Sequence, residues 1–159
     1  MARNTLAIYM DKVTEADIID MHSKRLEVLI NSNVDILAIE TMRSLAEVEM
    51  ILRFLQSRNV NVKVLDLFQS TGKLREEEVE NDPSRTAYGD YVTDAFQTVS
   101  KYSNVFGFGT NCVNRKKCEY ISEVSSQAKA EAASDIRLIV YPNVGQTWIS
   151  DKGKTQKQC

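Results

Sequence analysis

The chain has 159 residues, of which 43% are hydrophobic and 26% charged, and its formal net charge is −2. These values are typical of one soluble globular domain, and the charge gives no electrostatic case for a nucleic-acid or anionic-membrane partner. No run approaches the roughly 18 uncharged apolar residues of a membrane-spanning helix, and no signal peptide is recognisable. We therefore expect a cytoplasmic protein.

The chain begins with a helical pattern followed by a strand pattern. Residues 14–33 predict an amphipathic helix, because apolar residues recur at helical spacing after a capping-box pattern of Thr14 and Asp17. Asn33 is suited to the left-handed conformation that ends many helices. Residues 34–40 form a short apolar run rich in β-branched residues, which is typical of a strand buried on both faces.

The same alternation repeats in the next segment. Ser44 and Glu47 form a second capping-box pattern, which predicts a helix from there to about residue 58. Residues 62–68 predict the second strand.

A long polar segment then interrupts the pattern. Residues 70–87 contain a charged run and predict a loop. Long loops in compact domains are often functional lids, but a solvated surface loop is the favoured interpretation. Residues 88–102 predict the third helix, with apolar side chains along one face.

The last part of the chain contains two further strand patterns. Residues 105–112 predict a strand that ends in a polar tip, and Asn114 is positioned to cap a helix to about residue 133. Residues 137–141 predict the final strand. We expect residues 1–150 to form the domain and residues 151–159, which lack apolar periodicity, to be a disordered tail.

Strict alternation of helices and strands predicts an α/β fold with a parallel sheet. Four strands cannot close an eight-stranded (β/α) barrel, which typically needs about 250 residues. The pattern alone therefore leaves two possibilities, a small open α/β sheet and a part of a barrel.

Polar residues follow each predicted strand, where active sites of parallel α/β proteins lie. Glu40 ends the first strand, Asn111 and Cys112 the third, and Tyr141 and Asn143 the fourth. The pattern fits two interpretations about equally well: a functional site, or the polar residues that any parallel sheet has at this rim.

Two of these residues have specific chemical interpretations. Glu40 either begins a loop or binds a substrate ammonium group, and Cys112 is either a small buried apolar residue or a thiolate ligand. Cys118, inside a predicted helix, is interpreted as structural, and Cys159 as incidental. His22, the only histidine, is interpreted as a helix-face residue rather than a ligand.

Four segments, in order, resemble the homocysteine S-methyltransferase family, which includes the betaine-dependent enzymes. The first has His22 and Arg25 before an apolar helix, the second reads ILAIET and then SLAEVE, the third ends in Asn-Cys, and the fourth reads LIVYPNVG with a nearby Trp. They lie at residues 22–29, 36–49, 107–112 and 138–148. The chain is identified as a member of this family, with a fold that is a partial (β/α) TIM barrel of about four parallel strands and four helices.

The resemblance implies a chemistry and a set of site residues. Family members bind zinc through three Cys thiolates, and the zinc-bound thiolate of homocysteine attacks the methyl group of a donor to give methionine. Cys112 corresponds to the first zinc ligand and Glu40 to the residue that holds the homocysteine ammonium. Asn111, Tyr141 and Asn143 would line the substrate pocket. The donor, which is betaine, S-methylmethionine or S-adenosylmethionine in the family, is not specified by these residues.

This sequence also departs from the family pattern. The adjacent Cys pair that supplies the other two zinc ligands does not occur among its 159 residues, and Val144 and Gln146 replace a hydroxyl and a carboxylate residue. One thiolate cannot build a three-Cys zinc site. We therefore expect a methyltransferase-like domain that is inactive as this truncated chain, with a non-catalytic α/β binding module or remnant as the alternative. We also expect self-association through exposed sheet edges.

Overall fold

The computed structural model describes residues 12–69, 84–113, 115–143, 146–149 and 154–157. The elements are α1 (Glu15–Asn31), β1 (Ile36–Met42), α2 (Leu45–Ser57), β2 (Lys63–Gln69), α3 (Val92–Val99), β3 (Val105–Val113), a 3₁₀ turn (Arg115–Lys117), α4 (Cys118–Glu131), β4 (Arg137–Pro142), β5 (Gln146–Ile149) and β6 (Lys154–Lys157). The predicted order of four helices and four strands is confirmed. None of the helices in these ranges is long and apolar enough to cross a membrane.

The first four strands form one parallel sheet in the order β1-β2-β3-β4. The remaining two strands, β5 and β6, form a separate antiparallel pair. Because all four main strands run in the same direction, their carboxyl ends meet along one rim of the sheet.

One face of this sheet packs against the helices. Ile39, Asp66 and Phe108 stand side by side across three strands and are all buried. The core on this face joins strand residues with the apolar stripes of α2 and α3, whose most buried members are Val48, Ile51, Leu52, Leu55, Ala95, Phe96 and Val99. Asp66 is therefore a carboxyl group inside an apolar layer.

The opposite face, here called the concave face, carries the alternate residues of the strands. Leu67, Gly109 and Ile139 lie side by side on it, and Ala38 is on the same face of β1. A Cβ atom at Gly109 would overlap the carbonyl oxygen of Ile139 and lie 2.6 Å from its carbonyl carbon. Only glycine therefore allows β3 and β4 to approach this closely.

One helix start is as predicted and the next is not. The Thr14 and Asp17 capping box is present in full, and Asn33 has the left-handed φ of 53°. Ser44 makes no capping hydrogen bond, and Glu47 contacts Nε2 of His22 at 2.7 Å instead of closing a box. The second capping-box prediction is therefore wrong, because α1 packs beside α2 and takes the Glu47 side chain.

The start of α2 is capped from a distant part of the chain. Oδ2 of Asp90 accepts the backbone N–H of Leu45 at 2.7 Å and contacts the hydroxyl of Thr86 at 3.2 Å. Residues 84–91 form a compact turn in which Gly89 has a φ of 116°. This turn occupies the first part of the predicted third helix, so α3 begins only at Val92.

Two further expectations need correction. Cys118 was expected inside a helix but is the first residue of α4, the helix that follows β3. Residues 154–157 form β6, where a disordered tail was expected. Residues 154–157 have no apolar periodicity, and backbone pairing with β5 holds them in a strand. Asn114, Cys159 and most of the predicted loop at 70–87 lie outside the described residues.

Candidate functional site

The predicted polar residues meet at the carboxyl rim of the sheet. Gln69, Asn111 and Tyr141 are register partners across β2, β3 and β4, so their side chains share the concave face. Glu40 follows Ile39 on β1 and, by the alternation of strand residues, is also on this face. The rim therefore brings together side chains from all four strands.

Glu40 and Tyr141 contact each other although they lie on the two outer strands. The Tyr141 hydroxyl donates to Oε1 of Glu40 at 2.6 Å. Three strand spacings separate the two outer strands of a flat sheet by roughly 14 Å. The contact therefore shows that both side chains lean toward each other over the concave face.

The contact changes the acidity of the phenol. Partial burial, the hydrogen bond to Glu40, and the charges of Glu40 and Cys112 together raise the pKa of Tyr141 to about 12. Tyr141 therefore stays protonated as a donor throughout the neutral range. Cys112 directly follows Asn111, the register partner of Tyr141, and so belongs to the same rim.

Asn111 is buried at the centre of the rim and is only 4% exposed. Its Nδ2 donates to the hydroxyl of Thr41 at 2.8 Å, which ties β3 to the end of β1. Its Oδ1 is buried with no hydrogen-bond partner among the described residues. A buried amide oxygen without a partner costs free energy, so this atom is a natural acceptor for a ligand N–H.

Cys112 is exposed and has an unusual backbone conformation. Its φ is 53°, and the β3–β4 register shifts between Asn111 and Val113, on either side of it. Such an irregularity redirects a side chain from the regular alternation. Thr41 at the end of β1 is also left-handed, with a φ of 61°. Two of the strand ends at this rim are therefore bent in the same way.

Asn143 lies beside this bend. Its backbone N–H donates to the carbonyl of Val113 at 2.9 Å, so it extends the β3–β4 pairing beyond Pro142. Its side chain is exposed. The structure thus brings two hydrogen-bonded pairs to one rim, Tyr141 with Glu40 and Asn111 with Thr41, and Cys112 and Asn143 follow at the ends of the same strands.

A neighbouring group at the rim was only partly predicted. Nε of Arg43 donates to Oε1 of Gln69 at 3.0 Å, and the backbone N–H groups of Ala87 and Tyr88 donate to the carbonyls of Gln69 and Arg43. The turn at residues 84–91 is thereby held against the ends of β1 and β2. Gln69 directly follows the predicted second strand, as a polar strand end does, whereas nothing in the local sequence singled out Arg43.

The described residues do not provide a set of zinc ligands. Within the described ranges no group of three His, Cys, Asp or Glu residues is placed to hold a metal. Burial raises the pKa of the Cys118 thiol, which disfavours the thiolate that zinc requires. His22, as predicted, lies on a helix face, where it contacts Glu47. A closed zinc site needs four ligands, and Cys112 alone does not fit that requirement.

Comparison with known proteins identifies relatives along nearly the whole chain. The family model described as homocysteine S-methyltransferase matches residues 2–159. Homocysteine S-methyltransferase 1 of Brassica oleracea var. italica is 27% identical over 149 residues, which are 94% of this chain and 40% of that protein. Betaine-homocysteine S-methyltransferase of Drosophila melanogaster is 26% identical, covering 91% of this chain and 42% of that protein.

The fold also matches a solved structure. The metallated form of the homocysteine methyltransferase MmuM from Escherichia coli superposes with a TM-score of 0.64 and 22% sequence identity, over 84% of this chain and 41% of that one. The predicted fold, a part of a (β/α) barrel, is confirmed. The chain spans about two fifths of the length of the relatives it matches.

Proposed function

We propose, since this chain belongs to the homocysteine S-methyltransferase family, that the rim of its sheet binds the amino-acid group of homocysteine. The observation that carries the proposal is the exposed Glu40 carboxylate, which the Tyr141 hydroxyl holds at the strand ends. Asn111 lies on the same rim and has a buried amide oxygen without a hydrogen-bond partner among the described residues. An ammonium group requires acceptors of this kind.

Glu40 is the ammonium acceptor in this proposal. Its side chain is exposed, and a carboxylate has about four lone-pair sites, so one hydrogen bond from Tyr141 leaves capacity for a ligand. Tyr141 fixes the position of the carboxylate because its raised pKa keeps the hydroxyl proton in place. The buried Oδ1 of Asn111 is a second acceptor for a ligand N–H that reaches it. Cys112, near the end of β3, and Asn143, directly after β4, complete the proposed binding surface.

Methyl transfer to homocysteine, with methionine as the product, is the activity that the relatives' names indicate. For this 159-residue chain we propose binding without catalysis, in the cytoplasm, with Cys112 as a single family-type thiolate. Zinc is the cofactor expected from the family, but the described residues do not form its ligand set. No catalytic step is therefore assigned to these residues.

Calorimetric titration of the reduced chain with L-homocysteine tests the binding site. Replacing Glu40 by Gln removes the charge but keeps the shape, and loss of a charge-assisted hydrogen bond predicts about 10-fold weaker binding or more. Glu123→Gln, at an exposed position on α4, is the matched control and leaves binding unchanged. Equal affinity of the Glu40→Gln and unmodified chains would contradict the assignment.

A separate titration tests the absence of catalysis. The chain is titrated with zinc in the presence of a competing chelator, and only weak binding is expected. Stoichiometric tight binding that disappears in Cys112→Ser would instead show a complete metal site, and the non-catalytic proposal would be rejected.

A further inference from the structure

The central residues of the two outermost described strands carry none of the side chains that usually protect a sheet edge from pairing with another strand, since Glu40, Arg137 and Pro142 lie only toward the strand ends. β1 and β4 are the outer strands of the described sheet. Residues 37–39 and 138–140, at the centres of these strands, contain neither a charge nor a proline. Natural edge strands commonly carry such residues because the unpaired N–H and C=O groups otherwise bind a further strand. Both edges are therefore suited to pairing.

The concave face is apolar and partly exposed near these edges. Ile36 is 49% exposed and Tyr141 is 40% exposed, and Ala38 is also exposed. In parallel sheets both faces are normally covered. In a closed barrel this face becomes the packed interior.

The sheet has the fold of part of a (β/α) barrel, as its superposition on the methyltransferase MmuM indicates, with a TM-score of 0.64. Glu40 and Tyr141 meet across the concave face at 2.6 Å although they belong to opposite edges. A (β/α) barrel has eight parallel strands, so this sheet supplies half of its wall.

We propose that two copies of this chain close one eight-stranded parallel barrel, in which β4 of each copy pairs with β1 of the other. A second copy fits because its edges have the same strand direction and its sheet the same curvature. A twofold axis along the barrel makes the two new seams equivalent. Closure leaves no free edge, so association stops at two copies rather than continuing into fibres. Both rims then face one mouth, which carries two copies of Glu40 and of Cys112.

Sedimentation equilibrium of the full 159-residue chain under reducing conditions tests this proposal. The expected particle mass is twice the 18.0 kDa of one chain. Ala38→Lys places a charge that is solvated in a separate chain but enclosed by the barrel in the dimer, so we expect the dimer to weaken about 100-fold or more. Ala130→Lys, at an exposed position on α4, is the matched control and keeps the dimer.

Circular dichroism and amide hydrogen exchange separate dissociation from unfolding. In Ala38→Lys we expect an unchanged helix and sheet spectrum, with faster exchange in β1 and β4 but not in β2 and β3. A monomeric unmodified chain at high concentration, open-ended polymers, or an Ala38→Lys dimer as tight as the unmodified one would each overturn the proposal. A homocysteine titration of the dimer is a separate measurement, so failure of ligand binding leaves this result unaffected.

Discussion

The buried carboxyl of Asp66 predicts a stability that decreases as the pH rises. Asp66 is fully buried, and neither of its oxygens has a hydrogen-bond partner among the described residues. Burial raises its pKa well above the usual 3.8. The folded chain therefore keeps the proton over a pH range in which the unfolded chain loses it.

The sign and size of the effect follow from this difference. Well below pH 3.8 Asp66 is protonated in both the folded and the unfolded chain, so its ionisation does not change the free energy of unfolding. As the pH rises toward the folded pKa, the unfolded state gains about 1.4 kcal/mol per pH unit. While the folded chain retains the proton, the loss between pH 4 and pH 6 is about 2 kcal/mol, because the unfolded carboxyl is already partly ionised at pH 4.

Replacing Asp66 by Asn removes the titration and keeps a similar shape. Urea unfolding at a series of pH values from 4 to 6 measures the free energy of unfolding. We expect the unmodified chain to lose about 2 kcal/mol more than Asp66→Asn over this range. Glu47, whose pKa burial raises to about 6, adds the same slope to both proteins, so their difference isolates Asp66.

Asp35→Asn, at an exposed position, is the control and should follow the unmodified chain. If Asp66→Asn had the same pH dependence as the unmodified chain, Asp66 would be ionised in the folded state. The assignment of a neutral buried carboxyl would then be refuted.

Three other substitutions test contacts of the fold and of the rim. Asp90→Ala removes the cap of α2 and should lower the free energy of unfolding by about 1 kcal/mol; no change in urea unfolding would show that the cap contributes nothing. Gly109→Ala forces β3 away from Ile139, so it should lower the free energy of unfolding by more than about 2 kcal/mol or prevent folding. An unchanged free energy of unfolding in urea would show that the two strands separate without cost. Tyr141→Phe removes the phenol bonded to Glu40, so the step near pH 12 should disappear from a spectroscopic tyrosine titration, whereas its persistence would assign that step to another tyrosine.

The order of the elements could be predicted because it depends on local patterns. The apolar stripes of α1 and α2 and the short strand runs each contain their own periodicity, and their observed bounds lie within about three residues of the predictions. The helix cap at Ser44 could not be predicted correctly. Its outcome depends on Asp90, 45 residues later in the chain.

The rim was predicted as a location but not as a set of contacts. Parallel topology places Glu40, Asn111 and Tyr141 at the same end of the sheet. The hydrogen bond between Glu40 and Tyr141 joins residues 101 positions apart and depends on how strongly the sheet curls. The orientation of the Asn111 amide, with Oδ1 buried and without a partner among the described residues, likewise depends on Thr41, whose hydroxyl accepts from Nδ2.

The left-handed residues at the rim have a consequence for how this sequence responds to selection. Outside glycine, a left-handed backbone costs roughly 1 kcal/mol or more per residue, and both Thr41 and Cys112 have this conformation. Glycine at position 112 would relieve that cost while removing the thiol. A library screened for thermostability alone should therefore drift toward glycine there, whereas one screened for a thiol-dependent property should retain cysteine. The residue found at this position in stabilised variants thus reports whether the thiol was under selection.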